Sequence, residues 1–318
     1  MLVALLILNK QNIPQVGLDQ YCFASKPAGR SVTSVKINCM PHSRASKKPE
    51  GQPTRGKTAS NRLRRVDNFI LLYEPSLLTR TDDLFADSMF IDLGYGFDAR
   101  TTLESAARFR RMKPNLKILG VEIDKDRVEA ALPFADDKTF FRLGGFNLPM
   151  KENEHVHLIQ AFNVLRQYEE KDFAPAYERL AQYVLPGGLM IEGTSNPFGS
   201  IWCANVARKT LESDSSLSKI GDWRFEALIF STNFRLGFDV EEFQTILPKN
   251  LIHHVIKGEP IYDFFEAWKR SAKETASMKA YGAKQWFVAS AESLAQKRYR
   301  INLHRKFLSK GYMIWEND

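Results

Sequence analysis

Residues 90–102 read F-I-D-L-G-Y-G-F-D-A-R-T-T, an apolar run that ends in an acid and two glycines. Glycine lacks a β-carbon, so Gly94 and Gly96 suit a backbone that bends sharply and approaches a ligand closely. Asp92 can accept hydrogen bonds from a cationic or hydroxyl-bearing group. In an open parallel sheet, ligands bind outside the carboxyl ends of the strands, usually at the first strand-to-helix turn. The segment therefore predicts a ligand-binding turn after a first parallel strand.

The elements that must position this turn alternate between buried apolar runs and helical stretches. We expect five strands, at residues 89–93, 117–123, 140–143, 155–164 and 188–192. We expect helices between and before them, at residues 66–78, 101–112, 125–132 and 173–184. Thr101 and Glu104 have the spacing of a capping box at the start of the second of these helices. Such alternation implies parallel strands joined by right-handed crossovers.

The alternation of strands and helices ends after the fifth strand. Residues 201–207 and 225–234 are β-prone and have no strong helix between them, which predicts an antiparallel pair at one sheet edge. From residue 240 the sequence is mainly helical.

The D-x-G-x-G pattern of Asp92, Gly94 and Gly96 directly after a strand resembles the first motif of the class I S-adenosylmethionine-dependent methyltransferases. The resemblance covers roughly residues 89–234, about half of the chain. One departure lies in the motif itself, because Asp98 stands where the common form has a third glycine. The turn is then either wider, or Asp98 contacts the methionine ammonium group.

The resemblance implies roles for later strand ends. G-V-E-I-D places Glu122 where the family binds the ribose hydroxyls, with Asp124 set to cap the next helix. G-G-F-N-L-P follows the third strand and lacks the family's acid, so we expect Phe146 to pack on the adenine while backbone groups or Asn147 read its edge. After the fourth strand, A-F-N-V-L-R-Q-Y places three polar side chains near the donor methyl and the acceptor: Asn163, Arg166 and Gln167.

The implied fold is α/β, a doubly wound, mostly parallel, seven-stranded Rossmann-like sheet with an antiparallel edge pair and a helical C-terminal extension. We expect a flexible basic extension at residues 1–65, the catalytic domain at 66–236 and the helical extension at 237–318. The implied cofactor is S-adenosyl-L-methionine. Because a sulfonium needs little acid or base assistance to methylate a free amine or ring nitrogen, the protein's task would be positioning and electrostatics.

Two other functions fit the same residues. Gly94, Gly96 and Ala99 also satisfy G-x-G-x-x-A, so a nicotinamide-dependent enzyme is one alternative, although Asp92 and the lack of a second catalytic domain count against it. A non-catalytic RNA-binding protein of the same fold is the other.

The charge pattern bears on the acceptor. The chain has 318 residues with 45 Lys plus Arg against 37 Asp plus Glu, a formal net charge of +8, which favours an anionic partner. Basic residues concentrate at residues 41–65 and again at 297–310. We therefore expect RNA as the methyl acceptor, with a small molecule or a protein as the alternative in which the basic regions are only solvated.

The cysteines and the N-terminal residues bear on where in the cell the protein is expected. Cys22, Cys39 and Cys203 form no C-x-x-C pair, which favours a reduced, cytoplasmic protein without a metal site. The apolar opening at residues 2–8 is too short to span a bilayer and makes a poor signal peptide, so we expect no membrane partner. Met40 offers a second natural start, which would make residues 1–39 an extension.

Overall fold

Met89–Leu93 is apolar at every position but Asp92, and all five of its residues are buried, as expected of a central strand covered on both faces. It is the first strand of the sheet in a computed structural model that describes residues 48–53, 59–210 and 219–317. Of the extension predicted for residues 1–65, residues 1–47 and 54–58 lie outside the described residues.

The sheet contains nine strands within the described residues. In chain order they are β1 Met89–Leu93, β2 Lys117–Glu122, β3 Thr139–Leu143, β4 Val156–Phe162, β5 Val184–Ser195, β6 Ile201–Lys209, β7 Lys219–Ile220, β8 Trp223–Thr232 and β9 Tyr312–Glu316. Their spatial order is β3-β2-β1-β4-β5-β6-β8-β7, and β9 also pairs with β8. Strands β1 to β5 pair in parallel, and the remaining pairs are antiparallel.

This order confirms the predicted Rossmann-like class and its antiparallel edge. Two strands were not expected. The apolar Tyr312–Glu316 run pairs along the free edge of β8, and the short β7 pairs with β8 nearer its start. An unpaired sheet edge exposes a row of N–H and C=O groups, and β9 satisfies those of β8.

Ten α-helices connect and cover the strands in the described residues. They are α1 Arg64–Tyr73, α2 Pro75–Thr79, α3 Arg100–Phe109, α4 Lys125–Ala131, α5 Phe173–Ala181, α6 Val240–Gln244, α7 Lys249–Ile252, α8 Pro260–Glu274, α9 Ala283–Gln296 and α10 Arg305–Leu308. Side chains of α1 and α3 share one core with alternate residues of the strands. Side chains of α5 form a second core with strand residues that point to the other face of the sheet, and side chains of α6, α8 and α9 form a third. Both faces of the sheet are therefore covered.

The helix starts near the predicted site differ in how they are capped. Asp124 caps α4 as predicted, because its carboxylate accepts from the amides of Asp126 and Arg127 at 3.0 and 3.2 Å. The capping box predicted for Thr101 and Glu104 is wrong. Helix α3 begins one residue earlier, after Ala99, and the Thr101 hydroxyl donates to Asp92 instead.

The two flanks of the predicted catalytic domain pack into the same body. Leu63 is buried, and the guanidinium group of Arg65 donates to the Ser231 hydroxyl, although both residues fall in the segment expected to be a flexible extension. On the C-terminal side, Phe230 of β8 packs against Phe264 and Trp268 of α8 with ring centroids 5.2 Å apart in each case. All described residues fall within one compact unit.

Candidate functional site

The glycine turn, residues 94–96, lies where the strand order reverses. From β1 the chain builds outward to β2 and β3, and it then returns to place β4 on the other side of β1. The turn uses left-handed backbone at both glycines, with φ of +69° at Gly94 and +92° at Gly96. Residues that carry a β-carbon rarely adopt these angles, which explains why both positions are glycine. The reversal point is the usual ligand position in open α/β sheets.

Asp92 lies beneath this turn and is 2% exposed. Its Oδ2 accepts from the hydroxyls of Thr101 and Thr102 at 2.8 Å each, so it ties the start of α3 to the end of β1. Burial raises the pKa of the Asp92 carboxyl to about 6 against the opposing effect of the two hydroxyls, and the nearby Glu122 carboxylate raises it further. Asp92 therefore stabilises the turn through its hydrogen bonds with the side chains of Thr101 and Thr102.

Glu122 ends β2 and is joined to the glycine turn. Its Oε2 accepts from the Gly96 N–H at 2.9 Å, and its Oε1 accepts from the Ile123 N–H at 2.9 Å. The guanidinium group of Arg127 lies 3.6 Å from the same carboxylate. The structure thus brings Asp92, the glycine turn and Glu122 together.

The loop after β3 contacts a part of the chain that lies far away in sequence. The Phe146 N–H donates to the Glu50 carbonyl at 2.9 Å, and the Glu50 N–H donates to Asn147 Oδ1 at 2.7 Å. Asn147 Nδ2 donates in turn to the Lys48 carbonyl at 2.9 Å. The groups predicted to read an adenine edge are therefore hydrogen-bonded to residues 48–50 in this structure.

The three polar residues predicted to act after β4 have different surroundings. Asn163 has a φ of +61°, and its side chain bonds Ser195 at the end of β5 through both its Oδ1 and its Nδ2, at 3.1 and 3.3 Å. Gln167 Nε2 donates to the Gln52 carbonyl at 2.8 Å. Arg166 is exposed and does not line the cavity described below.

Asp98 remains within its own turn. One carboxylate oxygen accepts from the Arg100 amide at 3.1 Å, and the other lies 3.2 Å from the Arg100 guanidinium. Asp98 is partly exposed.

A small cavity marks the place where these elements meet. It measures about 20 Å³, and its lining includes Gly94, Glu122, Phe146, Tyr168 and residues 50–52. Such a space holds about one water molecule. The Phe146 and Tyr168 rings form one wall, with centroids 5.2 Å apart.

Sequence reasoning missed the contribution of residues 48–53 and 59–62. Besides the contacts of Glu50 and Gln52, Arg62 Nε donates to Ser195 Oγ at 3.0 Å, and Arg62 has no carboxylate within ion-pair distance among the described residues. The contacts of Glu50 and Arg62 join residues 97 and 133 positions apart. A charge run gives no local signal for such contacts.

Neither a metal site nor a membrane span emerges from the described parts of the chain. No group of three or more His, Cys, Asp or Glu side chains there could hold a metal ion. None of the described helices has the length and apolar character needed to cross a bilayer. Cys203 is buried as a free thiol.

Comparison with known proteins gives no match to a protein-family model and none to a curated protein. Solved structures do match. The plantazolicin methyltransferase BpumL, with bound SAH, is 13% identical, with 42% of this chain and 47% of that one covered and a TM-score of 0.32. An S-adenosylmethionine-dependent methyltransferase from Mesorhizobium loti is 18% identical, with coverages of 34% and 47% and a TM-score of 0.28. A putative protein-L-isoaspartate O-methyltransferase from Plasmodium falciparum, with S-adenosyl-L-homocysteine, is 16% identical, with coverages of 47% and 64% and a TM-score of 0.29.

These three structures belong to the kind of enzyme that the sequence motifs resemble, and the chain spans less than two thirds of the length of each. The strand order and the glycine turn at the reversal point define the fold of this chain, a Rossmann-like α/β sheet extended by antiparallel strands.

Proposed function

We propose that this chain is an S-adenosylmethionine-dependent methyltransferase that binds the methyl donor at the carboxyl ends of β1 to β4. The observation that supports this best is the bond between the Glu122 carboxylate and the Gly96 N–H, which places an acid and a tight glycine turn in one crevice at the reversal point. An acid beside a close-approach turn suits a nucleoside whose ribose offers two hydroxyl groups.

The polar groups present fit such a donor. An adenine edge offers one acceptor and one amino donor, and the Phe146 N–H and Asn147 Oδ1 form the complementary pair. Both now engage the backbone of Glu50. The cavity is too small for the donor while residues 50–52 are in place, because it measures about 20 Å³. Ligand pockets are usually roughly 300 Å³ or larger.

In this mechanism the chain positions the reactants and needs no base for an amine acceptor. The donor, when bound, supplies an electrophilic sulfonium methyl group. Glu122 would hold the ribose hydroxyls, and the glycine turn, stabilised by Asp92, would hold the methionine end together with Asp98. Asn163, Arg166 and Gln167 would face the acceptor from the end of β4.

The acceptor is the open part of the proposal. RNA was expected from the two basic regions, but in the first Arg62 and Arg65 donate to Ser195 and Ser231 within the protein. In the second, Lys297 pairs with Glu274 at 2.5 Å. These three side chains bond within the protein and therefore do not favour RNA over another acceptor. Transfer of a tritiated methyl group to RNA, protein and metabolite fractions would identify it.

Calorimetry with S-adenosylhomocysteine tests the donor site directly. We expect the full chain to bind it and Glu122→Gln to weaken binding by roughly tenfold or more, since a hydrogen bond to a charged group contributes about 1.5–3 kcal/mol. Glu129→Gln is the matched control, because this α4 carboxylate is exposed and pairs with Lys125 on the helix surface.

Equal affinity of the Glu122→Gln and Glu129→Gln proteins would remove Glu122 from the site. Binding of NAD in place of S-adenosylhomocysteine would favour the nicotinamide alternative.

A further inference from the structure

Residues 48–53, here called the strap, cross the predicted nucleoside end of the site. Besides its bonds to Phe146 and Asn147, the strap contacts the segment after β4. The Gln52 N–H donates to the Tyr168 hydroxyl, and Gln167 Nε2 donates to the Gln52 carbonyl. The approach is close at Gly145, where a β-carbon would lie 1.9 Å from the Glu50 carbonyl oxygen. The strap therefore lies directly on the loop after β3.

The backbone of Glu50 presents to this loop the same pattern as an adenine edge. Its carbonyl accepts from the Phe146 N–H, and its own N–H donates to Asn147 Oδ1. An adenine offers a ring nitrogen that accepts and an amino group that donates, side by side. The two groups cannot bind Glu50 and a base at the same time.

The strap is also the partition between two spaces. The small cavity of about 20 Å³ and a groove of about 350 Å³ beside α5 share five lining residues, namely Glu50, Gly51, Gln52, Phe146 and Tyr168. Three of these belong to the strap. If the strap moves away, the two spaces join into one of the size that holds a small ligand.

We propose that the strap is a built-in competitor of the nucleoside end of the methyl donor, so that the donor binds only when residues 48–53 leave the loop after β3. This inference rests on the proposed function. When a binding-competent state is only a fraction of the population, the apparent affinity falls by that fraction. Loosening the strap from its outer side must therefore tighten donor binding.

Two residues of the strap can be changed without replacing any residue proposed to bind the donor. The Glu50 carboxylate forms a two-pronged ion pair with Arg179 of α5 at 2.7 and 3.1 Å. Gly51 has a φ of +137°, and a β-carbon there would lie 2.6 Å from the Tyr168 hydroxyl. An alanine at this position is strained by the positive φ and would displace the Tyr168 hydroxyl, so it destabilises the closed strap.

The test uses the full chain with Gly51→Ala and, as matched control, Gly258→Ala, whose φ is +101° and whose added β-carbon would meet nothing within 4 Å. We expect Gly51→Ala to bind S-adenosylhomocysteine about tenfold more tightly than the parent, since a φ of +137° is strained for alanine and this strain falls on the closed strap. Gly258→Ala should bind it like the parent.

A charge exchange supplies the second variant set. Glu50→Arg should tighten binding by roughly two- to fivefold, the range for breaking an exposed ion pair. Adding Arg179→Glu to the same chain should restore the pair and return the affinity toward that of the parent. This reversal separates release of the strap from general loosening of the fold.

Hydrogen exchange reports the strap itself. Addition of S-adenosylhomocysteine should speed exchange of the Glu50 amide, while the Phe146 amide stays protected because the base replaces the strap as its partner. If the ligand binds, all strap variants match the parent and Glu50 stays protected, the strap inference is wrong and the proposed function stands. If no variant binds S-adenosylhomocysteine or S-adenosylmethionine, both are wrong.

Discussion

Among single residues, Glu192 on β5 occupies an unusual environment for an acid. It is 1% exposed, and its Oε2 accepts from the Tyr177 hydroxyl at 3.2 Å and from Asn205 Nδ2 at 3.3 Å. Its Oε1 has no partner in the described part of the chain. Burial raises the pKa of the Glu192 carboxyl to about 7 against the lowering effect of these two hydrogen bonds.

This pKa predicts a pH-dependent stability. An unfolded glutamate titrates near about 4.3, so between about pH 5 and 7 the folded chain holds a proton at Glu192 that the unfolded chain has lost. The free energy of unfolding should therefore decrease by roughly 3 kcal/mol from this residue as the pH rises across that window. Glu192→Gln, which cannot ionise, should show a flatter profile in urea unfolding.

The control for this series is Glu129→Gln, whose carboxylate is exposed in the folded chain. Parallel profiles for the parent and the Glu192→Gln protein would mean that Glu192 is ionised in the fold.

At the scale of elements, the segment before α1 lies against the loop after β5. The Arg62 carbonyl oxygen approaches Gly199 so closely that a β-carbon there would lie 1.9 Å away. Arg62 also donates to Ser195 at the end of β5, and Ser195 in turn is bonded to Asn163 after β4. The segment thus fixes the carboxyl ends of two strands at the candidate site.

Gly199→Ala should disrupt this contact. Gly199 and Gly237 both have left-handed backbone, with φ of +66° and +88°, but nothing lies within 4 Å of a β-carbon at Gly237. Both alanine variants bear a cost for left-handed backbone, so the difference between them reports mainly the contact. We expect Gly199→Ala to lose about 1–3 kcal/mol more in denaturant unfolding than Gly237→Ala, as is typical of overpacking. Equal losses of stability would show that the segment before α1 shifts to make room for the added β-carbon at no cost.

For the whole molecule, the C-terminal helices are part of the main core. Phe230 of β8 lies between Phe243, Phe264, Phe265 and Trp268, with ring centroids 5.2 to 5.8 Å apart. Strand β9, which follows these helices, pairs with β8 as well. The boundary expected near residue 236 therefore runs through a shared core, and the sheet and the C-terminal helices should unfold together.

Phe230→Ala tests this cooperativity. Removal of a buried phenylalanine costs about 3–5 kcal/mol, so we expect the midpoint of urea unfolding to fall in a single transition, with far-UV and near-UV circular dichroism coinciding. Phe198→Ala is the control, since Phe198 is 75% exposed and its loss should change stability by less than about 0.5 kcal/mol. Two separate transitions would mean that the C-terminal helices fold by themselves.

The sequence by itself determined the parallel part of the sheet and the location of the glycine turn. Buried parallel strands read as continuous apolar runs, and a turn that needs left-handed backbone requires glycine, so both leave a local signal at residues 89–96. Asp124 as a helix cap was equally visible, because capping depends on the next few residues only.

Only the tertiary structure decided how the flanks are used. The strap bonds Asn147 across 97 positions, β9 pairs with β8, and Arg65 bonds Ser231 across 166 positions. Such contacts depend on where the folded sheet places its edges and strand ends, which no window of neighbouring residues encodes. A basic, polar segment is typical of a solvated arm until a folded surface offers partners for its backbone and its guanidinium groups.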